Sequence, residues 1–149
     1  MQRSAECACG RLAVSLGGDP WLVLACHCDF CLRRTGGVYP TMAYFAKDQI
    51  VEISGERSVY NGKVENGEAG PGGLVNRYNF CPTCGSTVFY VFEEVPQGIF
   101  PGAFERMLPD AIAVAVGSFA DPDFPPPTFH SNPELRPTWL QIHDPADVP

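Results

Sequence analysis

The stretch Cys26-His27-Cys28-Asp29-Phe30-Cys31 (CHCDFC) puts three cysteines within six residues, one short of the four thiolates that close a structural zinc site. Positions 26 and 28 are two apart, so on a strand their side chains share one face while His27 faces the other way. A turn after Cys28 can swing Cys31 round to a third corner of a tetrahedron. His27 is then read as a buried or hydrogen-bonded histidine, not as a ligand to the same metal. Three protein ligands with an open corner are the pattern of catalytic zinc. Three thiolates on Zn²⁺ leave a net negative charge, which makes a weak Lewis acid suited to a soft fourth ligand such as a substrate thiol. Arg33 and Arg34 follow at once. They read either as cations that offset this charge or hold a substrate carboxylate, or as a solvated charge pair.

Four cysteines remain, as Cys7-x-Cys9 and Cys81-x-x-Cys84, and each group ends in glycine (Gly10, Gly85). A tight turn that aims backbone N–H groups at sulfur needs a residue tolerant of positive φ, which glycine supplies. The two groups therefore read as halves of one four-thiolate zinc site tying residues near 8 to residues near 82. The alternative is that Cys7 and Cys9 are small buried apolar residues.

The rest of the composition agrees with metal. The 149 residues are 45% apolar and 18% charged, which fits one globular domain over 1–149. The opening MQRSAECACG carries no apolar export segment, and no stretch is long enough to span a membrane. A cytoplasmic location is expected, and there disulfides are rare; seven cysteines would in any case leave one unpaired. A net charge of −7 argues against a nucleic-acid surface, and no polybasic run points to membranes.

Strands dominate the pattern. Runs at 11–16, 21–25, 42–46, 49–53, 77–80, 87–92 and 112–116 are rich in β-branched or aromatic residues, and Gly, Asp and Pro separate them. No window shows a helical period, although the segment after Cys28 fits one helical turn. Two loops stand out: a glycine-rich one at 61–73, and one at 93–110 whose Phe100, Phe104 and Met107 suit it to pack down or to cover a site. A mainly β single domain is expected.

CxCG at 7–10, CHCxxC at 26–31, RRTGG at 33–37, SGE at 54–56 and FCPTCGS at 80–86 occur in that order, followed by VGSFADPDFPPP at 116–127 and Trp139. This pattern, which covers nearly the whole chain, resembles the glutathione-dependent formaldehyde-activating enzymes, whose domain is shared with centromere protein V. The resemblance implies a zinc-binding β-tent of short antiparallel sheets with two zinc ions per chain. Cys7, Cys9, Cys81 and Cys84 would hold the structural one, and Cys26, Cys28 and Cys31 the catalytic one. It also implies carbon–sulfur lyase chemistry, the formation of S-(hydroxymethyl)glutathione from glutathione and formaldehyde. Leu32 is a departure, since that position is commonly polar, often Arg or Gln, in the family.

The functional expectation is thus a thiol, such as glutathione, activated beside Cys26, Cys28 and Cys31 and added to formaldehyde or a related small carbonyl, with Arg33 or Arg34 facing the substrate. Two other readings are a non-catalytic two-zinc module whose second metal takes His130, His143 or a partner's ligand, and a redox sensor built on the three-cysteine cluster.

Overall fold

The computed structural model describes residues 1–62, 73–98, 100 and 102–142. Ten strands among them form two sheets. β1 (Gln2–Glu6), β2 (Ala13–Gly17) and β5 (Ile50–Ser54) make a three-stranded antiparallel sheet. The second sheet has seven strands: β3 (Leu22–Cys26), β4 (Thr41–Ala46), β6 (Ser58–Asn61), β7 (Val75–Phe80), β8 (Thr87–Glu94), β9 (Ala111–Ala115) and β10 (Phe129–Ser131). Their spatial order is β10-β3-β4-β9-β8-β7-β6, with only β10 parallel to its neighbour. Two short helices, α1 (Asp29–Thr35) and α2 (Gly102–Met107), complete the framework.

The expected mainly β architecture is present. The large sheet is buried on both faces, which is why its inner strands are continuous apolar runs and not alternating ones. On one face Val23, Ala43, Phe45, Ile112 and Val114 meet Val14 and Leu16 of the small sheet in the main core. On the other face Leu24, Met42, Tyr44, Tyr90 and Phe92 form a second cluster, against which Phe30 of α1 and Phe104 of α2 pack. Along β4 the alternation is strict: Ala43 and Phe45 go to the first core, Met42 and Tyr44 to the second. Cys26, at the end of β3, falls on the second face.

Three strands carry no clear sequence signal. β1 and β6 are polar and half-exposed, and β10 is only three residues long. They gain their hydrogen bonds by pairing at the margins of the two sheets. The loop expected at 93–110 contains α2 and a following 3-10 turn at Leu108–Asp110. A six-residue helix is too short to show a hydrophobic period. The single turn expected after Cys28 extends to seven residues and stops at Gly36, which takes φ +68°. Gly55 of the SGE motif is also fixed by geometry, because its φ is +92° and a Cβ there would lie 1.7 Å from the Arg11 carbonyl oxygen. Residues 63–72 of the expected glycine-rich loop, and His143, lie outside the described residues.

Candidate functional site

Cys7 and Cys81 open two turns of the same design. Gly10 N–H donates to the Cys7 carbonyl at 2.9 Å, and Gly85 N–H to the Cys81 carbonyl at 2.8 Å. Cys7 N–H reaches the Leu12 carbonyl at 2.9 Å, and Cys81 N–H the Ser86 carbonyl at 3.0 Å. Both glycines have positive φ, +73° and +77°. The Leu12 N–H points at Cys7 Sγ from 3.2 Å. All four sulfurs lie within 4.8 Å of one another. The Cys7–Cys9 and Cys9–Cys81 sulfur separations of 3.6 and 3.7 Å approach the roughly 3.8 Å edge of a tetrahedron with metal–sulfur bonds of about 2.3 Å. The donor set and its spacing fit a four-thiolate zinc site.

Cys26, Cys28 and Cys31 come together at the end of β3 and the start of α1, their sulfurs also within 4.8 Å of one another. Cys26 and Cys28 sulfurs are 3.4 Å apart. Cys28 is the N-cap of α1, and its sulfur accepts from Cys31 N–H at 3.4 Å. Hydrogen bonds from the Cys26 and Cys31 thiols press the Cys28 thiol down to about 2, while the Cys28 sulfur raises Cys26, and Cys26 with Cys28 raises Cys31. Binding of a metal by the three sulfurs would release the protons the thiols hold. Three soft donors on one side fit a zinc ion with a free corner.

That corner faces a cavity of about 520 Å³ lined by all three cysteines. Its wall is rich in aromatic rings, among them Phe30, Tyr44, Tyr78, Tyr90, Phe92 and Phe104, with Leu and Met side chains between them. Burial keeps Tyr44 and Tyr90 neutral well beyond the ordinary phenol range and pushes Tyr78 up to about 12. The Tyr44 and Tyr90 hydroxyls pair at 3.0 Å, and Asn76 Nδ2 donates to Tyr78 Oη at 3.0 Å.

The two arginines part company. Arg34 lines the cavity, its guanidinium stacked 4.2 Å from the centre of the Tyr78 ring. It is the one charged side chain in the lining among the described residues. Arg33 points away from the cavity, 82% exposed and paired with Asp29 at 3.5 Å. Leu32 does not line the cavity either.

His27 is fully buried on the opposite face from the sulfurs, stacked on His130 with Nε2 3.3 Å from His130 Nδ1. Burial, then the charges of His130 and Arg136, lowers its pKa. His130 is thus engaged with His27 and does not join the three-cysteine group. The aromatic chamber was the part of the site that spacing missed. Tyr44, Tyr90 and Phe92 are visible in the sequence as strand residues, but only the register of β4, β9 and β8 shows that they share the face of Cys26. The loop at 93–110, expected to pack down or cover a site, does bring Phe100 and Phe104 to the cavity.

A small, mainly β chain with a four-cysteine clasp and a three-cysteine cluster in an aromatic cavity is a candidate two-metal protein. The profile of the glutathione-dependent formaldehyde-activating enzymes matches residues 2–132, and the chain belongs to that family. No curated protein matches it. No helix among the described residues is long and apolar enough to cross a membrane.

Proposed function

We propose that this chain, one domain of the β-tent type, is a carbon–sulfur lyase-type enzyme that activates a thiol such as glutathione beside Cys26, Cys28 and Cys31 for addition to a small carbonyl. The juxtaposition that carries this reading is a three-thiolate cluster whose three cysteines all line a cavity walled by aromatic and aliphatic side chains, whereas Cys7 alone of the four-thiolate cluster lines the cavity of about 610 Å³ beside it, with Ser4, Glu6, Ser86 and Ser118 in its wall. A zinc ion held by Cys26, Cys28 and Cys31 would lower the pKa of a thiol placed at its open corner. Cys7, Cys9, Cys81 and Cys84 hold the structural zinc.

The chain's own residues do the rest. Arg34 faces the negative charge that three cysteine thiolates and a substrate thiolate accumulate, and its position over Tyr78 holds it there. The apolar side chains of the wall lower the local polarity, which strengthens that attraction. In the addition, the thiol loses its proton, its sulfur pair forms a bond to the carbonyl carbon, and the carbonyl oxygen takes up a proton to become a hydroxyl. Nothing is oxidised or reduced. Arg33 points away from the cavity as a surface cation paired with Asp29. A cytoplasmic location completes the reading.

The test is hemithioacetal formation from glutathione and formaldehyde, followed by NMR in the zinc-loaded protein and in Cys28→Ser. Acceleration above the uncatalysed rate is expected in the first and none in the second. Equal rates in both proteins would refute the assignment.

A further inference from the structure

The cavity beside the three cysteines has to admit both a thiol and a carbonyl compound, and its wall bears on the second. Its volume of about 520 Å³ is more than three times the ~150 Å³ void that takes up a benzene molecule, so a ring fits beside the thiol. The register of the sheet explains how its wall is made. On β9, Ala113 stands opposite both Tyr44 of β4 and Tyr90 of β8. A methyl group between two phenols lets their hydroxyls close over it into the 3.0 Å hydrogen bond. With their polar ends turned to each other, the two rings present apolar faces to the cavity, which Phe92 and Phe104 extend. Formaldehyde has no apolar body to set against such a wall, whereas an aromatic ring gains both area and edge-to-face contacts there.

Two polar side chains, Arg34 and Asn76, flank Tyr78 at the same wall. Arg34 Nε and Asn76 Oδ1 are buried without partners. Their side chains both lie against Tyr78 at the cavity wall. One is a donor and the other an acceptor.

We propose that the carbonyl partner of this site is an aromatic aldehyde of about benzaldehyde's size, its ring among Tyr44, Tyr90, Phe92 and Phe104 and its carbonyl carbon toward the three cysteines. This rests on the reading of Cys26, Cys28 and Cys31 as the thiol-activating cluster. The addition is balanced as above: the S–H bond breaks, an S–C bond forms, and the aldehyde oxygen ends as a hydroxyl.

Two measurements on the zinc-loaded protein separate the aldehyde from the thiol chemistry. The first compares kcat/KM for benzaldehyde and formaldehyde with glutathione as the thiol. The second titrates benzyl alcohol, which cannot form an adduct, into the wild type and Phe104→Ala, following chemical shifts of the aromatic side chains. Benzaldehyde is expected to be favoured by at least about tenfold, and Phe104→Ala to weaken benzyl alcohol and lower the benzaldehyde preference by about tenfold with zinc content unchanged. Formaldehyde preferred, with no saturable benzyl alcohol binding, would overturn the aromatic assignment and leave the thiol chemistry standing. Benzyl alcohol binding without turnover of either aldehyde would overturn the thiol chemistry and retain the aromatic chamber.

Discussion

Cys7, Cys9, Cys81 and Cys84 join two turns that are 72 residues apart between Cys9 and Cys81, and two of the four, Cys9 and Cys84, are exposed. Cys26, Cys28 and Cys31 come from a single strand-to-helix corner and look into an aromatic cavity. The first cluster joins parts of the chain far apart in sequence, so a metal held there would act on folding. The second is assembled by local geometry that the sheet and α1 already fix, so a metal held there could be lost with little consequence for the fold. Ligand type is the same in both. What differs is the sequence separation they bridge and the space in front of the sulfurs.

The largest effect expected from this contrast is on the four-cysteine side. Structural zinc contributes on the order of 10 kcal/mol, comparable with the 5–15 kcal/mol stability of a whole domain. Cys84→Ser should therefore abolish the cooperative thermal transition, read by circular dichroism; a transition retained within about 5 °C of wild type would break the contrast.

Next comes the chamber on the three-cysteine side. Burial raises Tyr78 to about 12 from an ordinary phenol value near 10, so the folded chain retains this proton at pH values where the unfolded chain has lost it. The contribution of Tyr78 is fully present below pH ~10 and is lost as pH rises toward about 12, amounting to roughly 2–3 kcal/mol. Tyr44 and Tyr90 act in the same direction. A tyrosinate absorbance titration should show these three still neutral at pH ~10, and Tyr78→Phe should remove its share of the alkaline loss. Early titration of all tyrosines would mean the chamber is open to water.

Arg34→Gln should weaken thiol binding by about tenfold, as expected for a hydrogen-bonded charge, with the fold intact. The smallest effect belongs to its neighbour. Arg33→Gln removes only an exposed pair with Asp29 and should change stability by less than about 0.5 kcal/mol and thiol affinity by less than about twofold. If Arg33 proved the more sensitive of the two, the orientation of α1 assigned here would be contradicted.

Much of the site was legible in the sequence because its information is local. Spacing alone grouped the cysteines, and the paired glycines at 10 and 85 marked the two matching turns. The continuous apolar runs at 21–25 and 42–46 announced strands, and a sheet buried on both faces is why they are continuous. β10 was not legible, because three residues carry no period and its pairing with β3 is non-local. The chamber was not legible for the same reason: Tyr44, Ala113 and Tyr90 meet only through strand register. The adjacent arginines looked equivalent in sequence, and only the helix set one inward and the other outward.

The most direct test of the central claim is metal counting by native mass spectrometry on the reduced protein, wild type and Cys28→Ser, with and without glutathione. Two zinc ions per wild-type chain, one in a still-folded Cys28→Ser, and a glutathione adduct only in the wild type are predicted. An unfolded Cys28→Ser, or a single zinc in the wild type, would contradict the division into one clasp and one open cluster.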